Sequence, residues 1–474
     1  MGEWLAFSGT GLNSAARAIA VSGSDVYVGG SFVSAGSASA RGIARWDGTT
    51  WHALGTGIQG TVNAAAVAGN KLYAGGNFTS AGGSNASRIA VWNGQSWSAL
   101  GSGVNGTVTA IVVRGEDVYV GGDFQTAGGL PANRIAKWNG SSWSGFPGAS
   151  VPNTVTGMGF IGNDLYVSSD TTTVDNPNYL LKYDGTNWTG LAVGMGGHGV
   201  RSMAISGTDI YVSGGFQAVG GITAHRVAKW NGSQWSALGS GIPGNTNAVL
   251  VAVAGNDLIA TGDFTNAGGA DASRIARWNG SEWSALGSGL DDQAITIAAA
   301  GGDIFAGGGF NRAGCNASPY FARYRNLVWS GTTNTDWHTA SNWGNGSVPS
   351  ANAGVSVSAS DISISSADVI VSSLVVLNGR TVTIGAGRTL TVNGDLGLSS
   401  GSITGPGDLV VNGGLRVGGN IDISGSVTVN GDLYLSGGIL SPVGGVDVTA
   451  CHTSAISGGS RSEEHTSELQ SLTN

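Results

Sequence analysis

The motif Gly-Gly-x-Phe, with Ser213 and Thr261 in place of the first glycine in two copies, returns six times in the first two-thirds of the chain and confines what that part can become. Its phenylalanines are Phe32, Phe78, Phe124, Phe216, Phe264 and Phe310, at steps of 46, 46, 92, 48 and 46 residues. The double step marks a seventh, degenerate copy, with Asp170 falling where the period places phenylalanine. Each copy carries several short apolar segments. A period in the high forties with several strands per repeat fits a radial array of four-stranded sheets better than one sandwich.

Residues 108–143 show what one copy contains. The apolar run 108–113 (VTAIVV) reads as strand a, and Gly115-Glu116 turns it into strand b at 118–120. The residue before strand b is Asp25, Asp117, Asp164, Asp209, Asp257 or Asp303 in six copies and Lys71 in the other. Turn chemistry accounts for an acid there, since Gly-x-Asp supplies positive φ and local hydrogen bonds. Strand c is 134–138 (RIAKW), and an Asn-Gly or Asp-Gly pair returns the chain to strand d at Trp143. The pairs Trp46/Trp51, Trp92/Trp97, Trp138/Trp143, Trp230/Trp235 and Trp278/Trp283 stand five apart across that turn. With side chains alternating along each strand, both rings of a pair fall on one side of the hairpin, where burial against the next sheet is expected.

The ends of the repeat region complement each other. Residues 3–11 (EWLAFSGTG) look like an isolated strand d, while the last copy supplies a (294–299), b (304–310) and c (320–324) and then stops. The expected fold is therefore all-β: a seven-bladed β-propeller closed by the N-terminal strand, pairing beside 320–324, so that no sheet edge of the ring stays open. The order of apolar strand, Gly-Gly, R-I-A-x-W-N-G and W-x-A-L-G-S-G resembles the kelch-type β-propeller over residues 3–325. It is similar to propellers of bacterial surface and secreted proteins and of fungal cell-polarity marker proteins. Kelch-type rings include binding scaffolds and a few enzymes, so the resemblance implies architecture more than activity. Copper radical oxidases share the ring, but Cys315 and Tyr320 come without a matching histidine pair, and the S-x-D-x-G-x-x-W boxes of sialidase-like propellers are missing.

Long b–c and d–a connections emerge on one face, and loops on a rigid scaffold are where binding residues collect. Arg88, Arg134, Arg226 and Arg274 recur there at the start of strand c, with Arg41 offset by one; their expected role is to hydrogen-bond loop carbonyls. The fourth copy diverges most, with SSDTTTVDNPNY and GMGGHGVR as its loops. This brings Asp170, Asp175, His198 and Arg201 to one face, with His225 in the next b–c loop, as candidate ligand-binding residues. Their spacing matches no zinc or EF-hand pattern, so no metal, cofactor or catalytic residue is assigned.

From Leu327 the texture changes. Trp329, Trp337 and Trp343 precede Pro349, and Val-Asn-Gly then recurs at 392–394, 411–413 and 429–431, spacings that suit a parallel β-solenoid, with a small β-sandwich as the alternative. The expected domains are a propeller (1–325), a Trp-rich linker or cap (326–350) and a solenoid-like repeat (351–460). Residues 461–471 (RSEEHTSELQS) read as a translated sequencing adapter, so 461–474 are set aside as not native. Dropping Arg461, Glu463, Glu464 and Glu468 moves the net charge from −8 to −6.

Composition narrows the function. Across 474 residues, 84 are glycine and only 11% are charged; the negative balance without any Lys/Arg cluster argues against a nucleic-acid partner. No apolar run reaches the ~20 residues of a membrane span. Cys315 and Cys451 fall in different segments and offer no disulfide framework. Low lysine with abundant Gly, Ser, Thr and Asn suits an exported protein, although no signal peptide is visible in 1–11. The expectation is an extracellular or cell-surface binding and adhesion scaffold with a protein or glycan ligand and no chemistry of its own. The alternative is a lectin or carbohydrate-active enzyme using the face of blades 4 and 5.

Overall fold

The computed structural model describes residues 2–5, 11–149, 151–170, 179–191, 195–244, 249–300, 303–314, 316–326, 329, 331, 333–343, 348–349, 351, 354–357, 360–371, 373–431, 433–435, 439–441, 446–448 and 460–461. Contacts divide the chain into two compact units, Leu5–Tyr324 and Arg325–Asn474 with Met1–Trp4.

By sheet topology, residues 2–326 form a seven-bladed propeller. Its blades span 16–53, 58–99, 107–145, 155–190, 196–237, 250–285 and 294–326, each an antiparallel sheet with strands a, b, c and d in that spatial order. Blade 7 takes its fourth strand from Gly2–Leu5, which lies beside Phe321–Asn326 in the sheet. Trp4 on that strand is buried.

The repeat motif explains itself in the packing. A side chain on Gly121 would meet Val155 and Met158 of the following blade, whereas one on Gly122 would meet the backbone of Thr107 on its own strand a. One glycine admits the neighbouring sheet, and the other admits the partner strand, where the register slips at a bulge between Val108 and Ala110. Phe124 then turns into the blade and is buried, as are Phe32, Phe78, Phe216, Phe264 and Phe310.

Each tryptophan pair faces directly across the c–d hairpin, as with Trp138 opposite Trp143. Ring centroids are 5.3–5.5 Å apart in the five pairs. The expectation that both rings are core holds for Trp46/Trp51 and is corrected for the other pairs: Trp97, Trp143 and Trp283 are buried, but Trp92, Trp138, Trp230, Trp235 and Trp278 are half-buried. The second ring also ties blades together. Nε1 of Trp97, Trp143, Trp235 and Trp283 donates to the carbonyl of Leu54, Leu100, Leu191 and Leu238 in the preceding blade, at 2.8–3.1 Å.

In the second unit three parallel sheets of five, six and five strands run side by side through the sequence, the arrangement of a parallel β-solenoid. Val355, Leu374, Leu396, Leu415 and Leu433 partner one another in turn, at steps of 19, 22, 19 and 18 residues. Inward positions are aliphatic and buried, from Val355 to Val429. At one corner Asn412 Nδ2 donates to Asn393 Oδ1 (3.0 Å) and Asn430 Nδ2 to Asn412 Oδ1 (2.7 Å), so the Val-Asn-Gly repeat is an amide ladder between coils. Trp329, Trp337 and Trp343 join this same core as two edge-to-face contacts of 4.9 Å.

Candidate functional site

In every blade the antiparallel order sends the b–c and d–a connections to one end of the sheet and the a–b and c–d turns to the other. The b–c end is the candidate site, and its loops are more ordered than their sequence suggests. The six b–c connections that are described are small hairpins: Ser34–Ala35 with Ala38–Ser39, Ser84–Asn85 with the end of Lys71–Ala81, Thr126–Ala127 with Leu130–Pro131, Ile222–Thr223 with the end of Asp209–Val219, Asn266–Ala267 with Ala270–Asp271, and Arg312–Ala313 with Asn316–Ala317. Their tips carry consecutive left-handed glycines, Gly82-Gly83, Gly128-Gly129, Gly220-Gly221 and Gly268-Gly269, the backbone a tight two-residue turn demands. The A-G-G signal was present in the sequence; sequence reasoning missed it because the paired segments are only two residues long.

The d–a loops lace these hairpins down. Oδ1 of Asn13 accepts from the backbone N–H of Val33 and Ser34, Asn105 from Gln125 and Thr126, and Asp291 from Asn311 and Arg312. At the start of strand c, Arg88, Arg134, Arg226, Arg274 and Tyr320 have φ between 61° and 73°. This left-handed backbone is costly for residues with a side chain. It lets one residue close the loop twice: Arg134 N–H donates to Phe124 O (2.8 Å), and its carbonyl accepts from Gly122 N–H (3.0 Å). In blade 1 the same position is Gly42, φ 70°, so Arg41 precedes this site and is not a displaced version of the arginine. The guanidinium groups reach d–a loop carbonyls: Arg88 to Val104, Arg134 to Val151 (3.2 Å) and Arg226 to Ile242 (3.1 Å). Arg226 is buried, and that burial pushes its guanidinium below the ordinary arginine value.

Blade 4 needs a correction of register. Strand b starts at Asp164, 47 residues after Asp117, because 143–151 (WSGFPGASV) holds one residue more than 97–104 (WSALGSGV). Asp170 therefore matches Asp123, the x of Gly-Gly-x-Phe, and does not replace a phenylalanine. Acids at that position pair with arginine elsewhere: Asp123 lies 3.8 Å from Arg134 and Asp263 3.5 Å from Arg274. Blade 4 has Tyr179 in place of the arginine, and Asp170 pairs with Arg201 of blade 5 at 3.6 Å, both groups well exposed. Asp170 N–H also donates to Thr154 O.

Of the other candidates, His225 is bound through Nδ1 to Gln217 Oε1 (2.9 Å) within its own hairpin. Asp175 lies outside the described residues, and for His198 only its place in strand Gly196–Ser206 is described. The structure thus brings together, among the described residues, Asp170 and Arg201. Among the described residues no three His, Cys, Asp or Glu side chains gather as metal ligands, and no helix is long and apolar enough to cross a membrane.

A further set of charges escaped the sequence reading. The acid before strand b meets the basic residue of strand c: Asp25–Arg45 (3.1 Å), Asp117–Lys137, Asp164–Lys182 and Asp209–Lys229 (each 2.6 Å), Asp257–Arg277 (2.8 Å) and Asp303–Arg323. In blade 2 both partners change together, to Lys71 and Val91. That paired change was the signal for an ion pair, which the turn-chemistry reading passed over.

One family model agrees with the propeller geometry. Residues 64–205 match the model of the Rax2 C-terminal beta propeller domain, and residues 328–426 match a domain of unknown function, DUF8693. Among solved structures, the computationally designed Ika8 protein is similar at 16% identity and a TM-score of 0.43, covering 68% of this chain and 92% of its own. The WD40 beta propeller domain of Doa1 is similar at 14% identity and a TM-score of 0.44, covering 68% and 96%. No curated protein matches the sequence.

Proposed function

We propose that the propeller is a non-enzymatic binding scaffold, exported and held at a cell surface, that takes a protein partner on the face of the b–c hairpins. The observation that carries this reading is the loop architecture. Three of the six hairpins are bolted to the ring by d–a side chains and five close on a costly left-handed residue, which yields a rigid rim suited to recognition without large ordering costs. The rim exposes Val33 and Leu130, the two large apolar side chains of the propeller most open to water. The match to a Rax2-type propeller domain over part of the ring supports a scaffold role.

Photo-crosslinking residues placed at Val33, Leu130 and, on the opposite end, Gln95 would test it in the producing cells. The expected result is one common protein adduct from Val33 and Leu130 and none from Gln95. Adducts from Gln95 alone, or none from any site, would contradict the reading. A second reading, a lectin or carbohydrate-active site, draws on the exposed Asp170–Arg201 pair with Asp175, His198 and His225 as its neighbours in the candidate set. Specific binding of the full chain on a glycan array, abolished by Asp170→Ala, would favour it.

A further inference from the structure

The c–d turns form a second repeated array, at the end of the sheets away from the proposed partner face. Each is a four-residue loop in which the first side chain organises the others. Asn139 Oδ1 accepts from the backbone N–H of Ser141 (3.0 Å) and Ser142 (2.8 Å) and from Ser141 Oγ (3.0 Å). Asn231 holds Ser233 N, Gln234 N and Ser233 Oγ, each at 2.9 Å. Asn279 holds Ser281 N, Glu282 N and Ser281 Oγ, also at 2.9 Å. In all three the asparagine is exposed, its oxygen is saturated by the turn, and Nδ2 donates to no group among the described residues.

We infer that Asn139, Asn231 and Asn279 are acceptor sites for asparagine-linked glycans. The triplet Asn-Gly-Ser is the acceptor pattern, and the turn adds what the pattern alone lacks. Three donors on Oδ1 draw charge out of the amide, so an Nδ2 proton leaves more readily to a transferase base as Nδ2 attacks C1 of a lipid-diphosphate-linked oligosaccharide. The Nδ2–C1 bond forms, the C1–O bond breaks, and the lipid diphosphate departs with the electron pair. Every bond in the turn spans two or three residues, so the geometry can form on a chain still entering the secretory route. Of the other Asn-x-Ser/Thr triplets, Asn77, Asn85 and Asn316 lie in strands, Asn105 Oδ1 is taken by Gln125 and Thr126, Asn187 is the last residue of a turn organised by Asp184, and Asn345 lies outside the described residues. Sugar on these three turns would coat one end of the ring and leave the hairpin end bare.

The same turn supplies its own controls. Asn93 has the backbone bonds, to Gln95 N (2.9 Å) and Ser96 N (2.8 Å), without a hydroxyl at the third position. Asp47 has the hydroxyl partner, Thr49, without an amide. The inference rests on the exported reading, and the test separates the two. The full chain behind a secretory leader is translated into microsomes, and peptides are mapped after enzymatic glycan release in heavy-oxygen water. Expected are labelled Asn139, Asn231 and Asn279 with Asn93 unlabelled, a gained label at Asn93 in Gln95→Ser, and a several-fold drop at Asn139 in Gly140→Val. That last variant keeps the triplet but forbids the turn, since Gly140 has φ 95°. Unlabelled Asn139, Asn231 and Asn279, or Gly140→Val labelled as the parent, would overturn the inference. Labelling in microsomes with no sugar on the protein in its own cells would instead count against export.

Discussion

At blade 2 the residue before strand b is Lys71 and its strand c counterpart is Val91, where other blades set an acid against a base. Exposed pairs of this kind contribute little, up to about 1 kcal/mol. Val91→Lys alone should therefore lower stability by placing two cations together, and Lys71→Asp with Val91→Lys should restore it, with coupling of up to ~1 kcal/mol in a urea double-mutant cycle. The same pairs set the alkaline limit. The hydrogen bond that Lys137 donates to Asp117 holds the lysine above the ordinary 10.5, and Asp164 and Asp209 do the same for Lys182 and Lys229. A lysine that binds its proton more tightly when folded contributes stability that is complete below 10.5 and is lost as pH rises past its folded value. Melting temperature should accordingly fall on the alkaline side, and fall less in Lys137→Arg. Tryptophan substitutions should separate the two rings. Trp143→Ala removes a buried ring and should cost about 3–5 kcal/mol, whereas Trp143→Phe removes chiefly the bond to Leu100 O, about 1 kcal/mol. Trp138→Ala, at a half-buried ring, should cost less than Trp143→Ala in the same melts.

At the scale of elements, strands a, b and d were legible because they are apolar runs closed by Gly-x-Asp and Asn-Gly, signals that act within a few residues. What the sequence hid was longer in range or shorter in length. Asp117 and Lys137 stand 20 positions apart and meet only once strands b and c pair, and each b–c hairpin uses segments of two residues, below any detectable alternation. The one-residue insertion in 143–151 shifts Asp170 from the phenylalanine position to that of Asp123, which a fixed 46-residue period does not reveal. The hairpin tips allow a sharp comparison. Gly128 has φ 60° with Trp143 2.9 Å from where a Cβ would lie, while Gly129 has φ 80° and open space. Gly128→Val should therefore destabilise the blade strongly in thermal melts, and Gly129→Asn should be nearly neutral, since asparagine tolerates the left-handed region. Equal effects of the two would mean that the hairpin is not seated on the tryptophan.

For the whole molecule, closure of the ring is the claim on which the partner face depends. If Gly2–Leu5 completes blade 7, the b–c ends of all seven blades share one rim; without that strand, Phe321–Asn326 becomes an open edge and blade 7 loses its outer partner. The decisive measurement is amide hydrogen exchange on the full chain and on a variant lacking residues 1–5, read at Phe321, Ala322, Arg323 and Tyr324. Strong protection of these amides in the full chain, lost by an order of magnitude or more in the shortened one together with a lower melting temperature, is what a closed ring requires. Equal protection and an unchanged melt in both would contradict it.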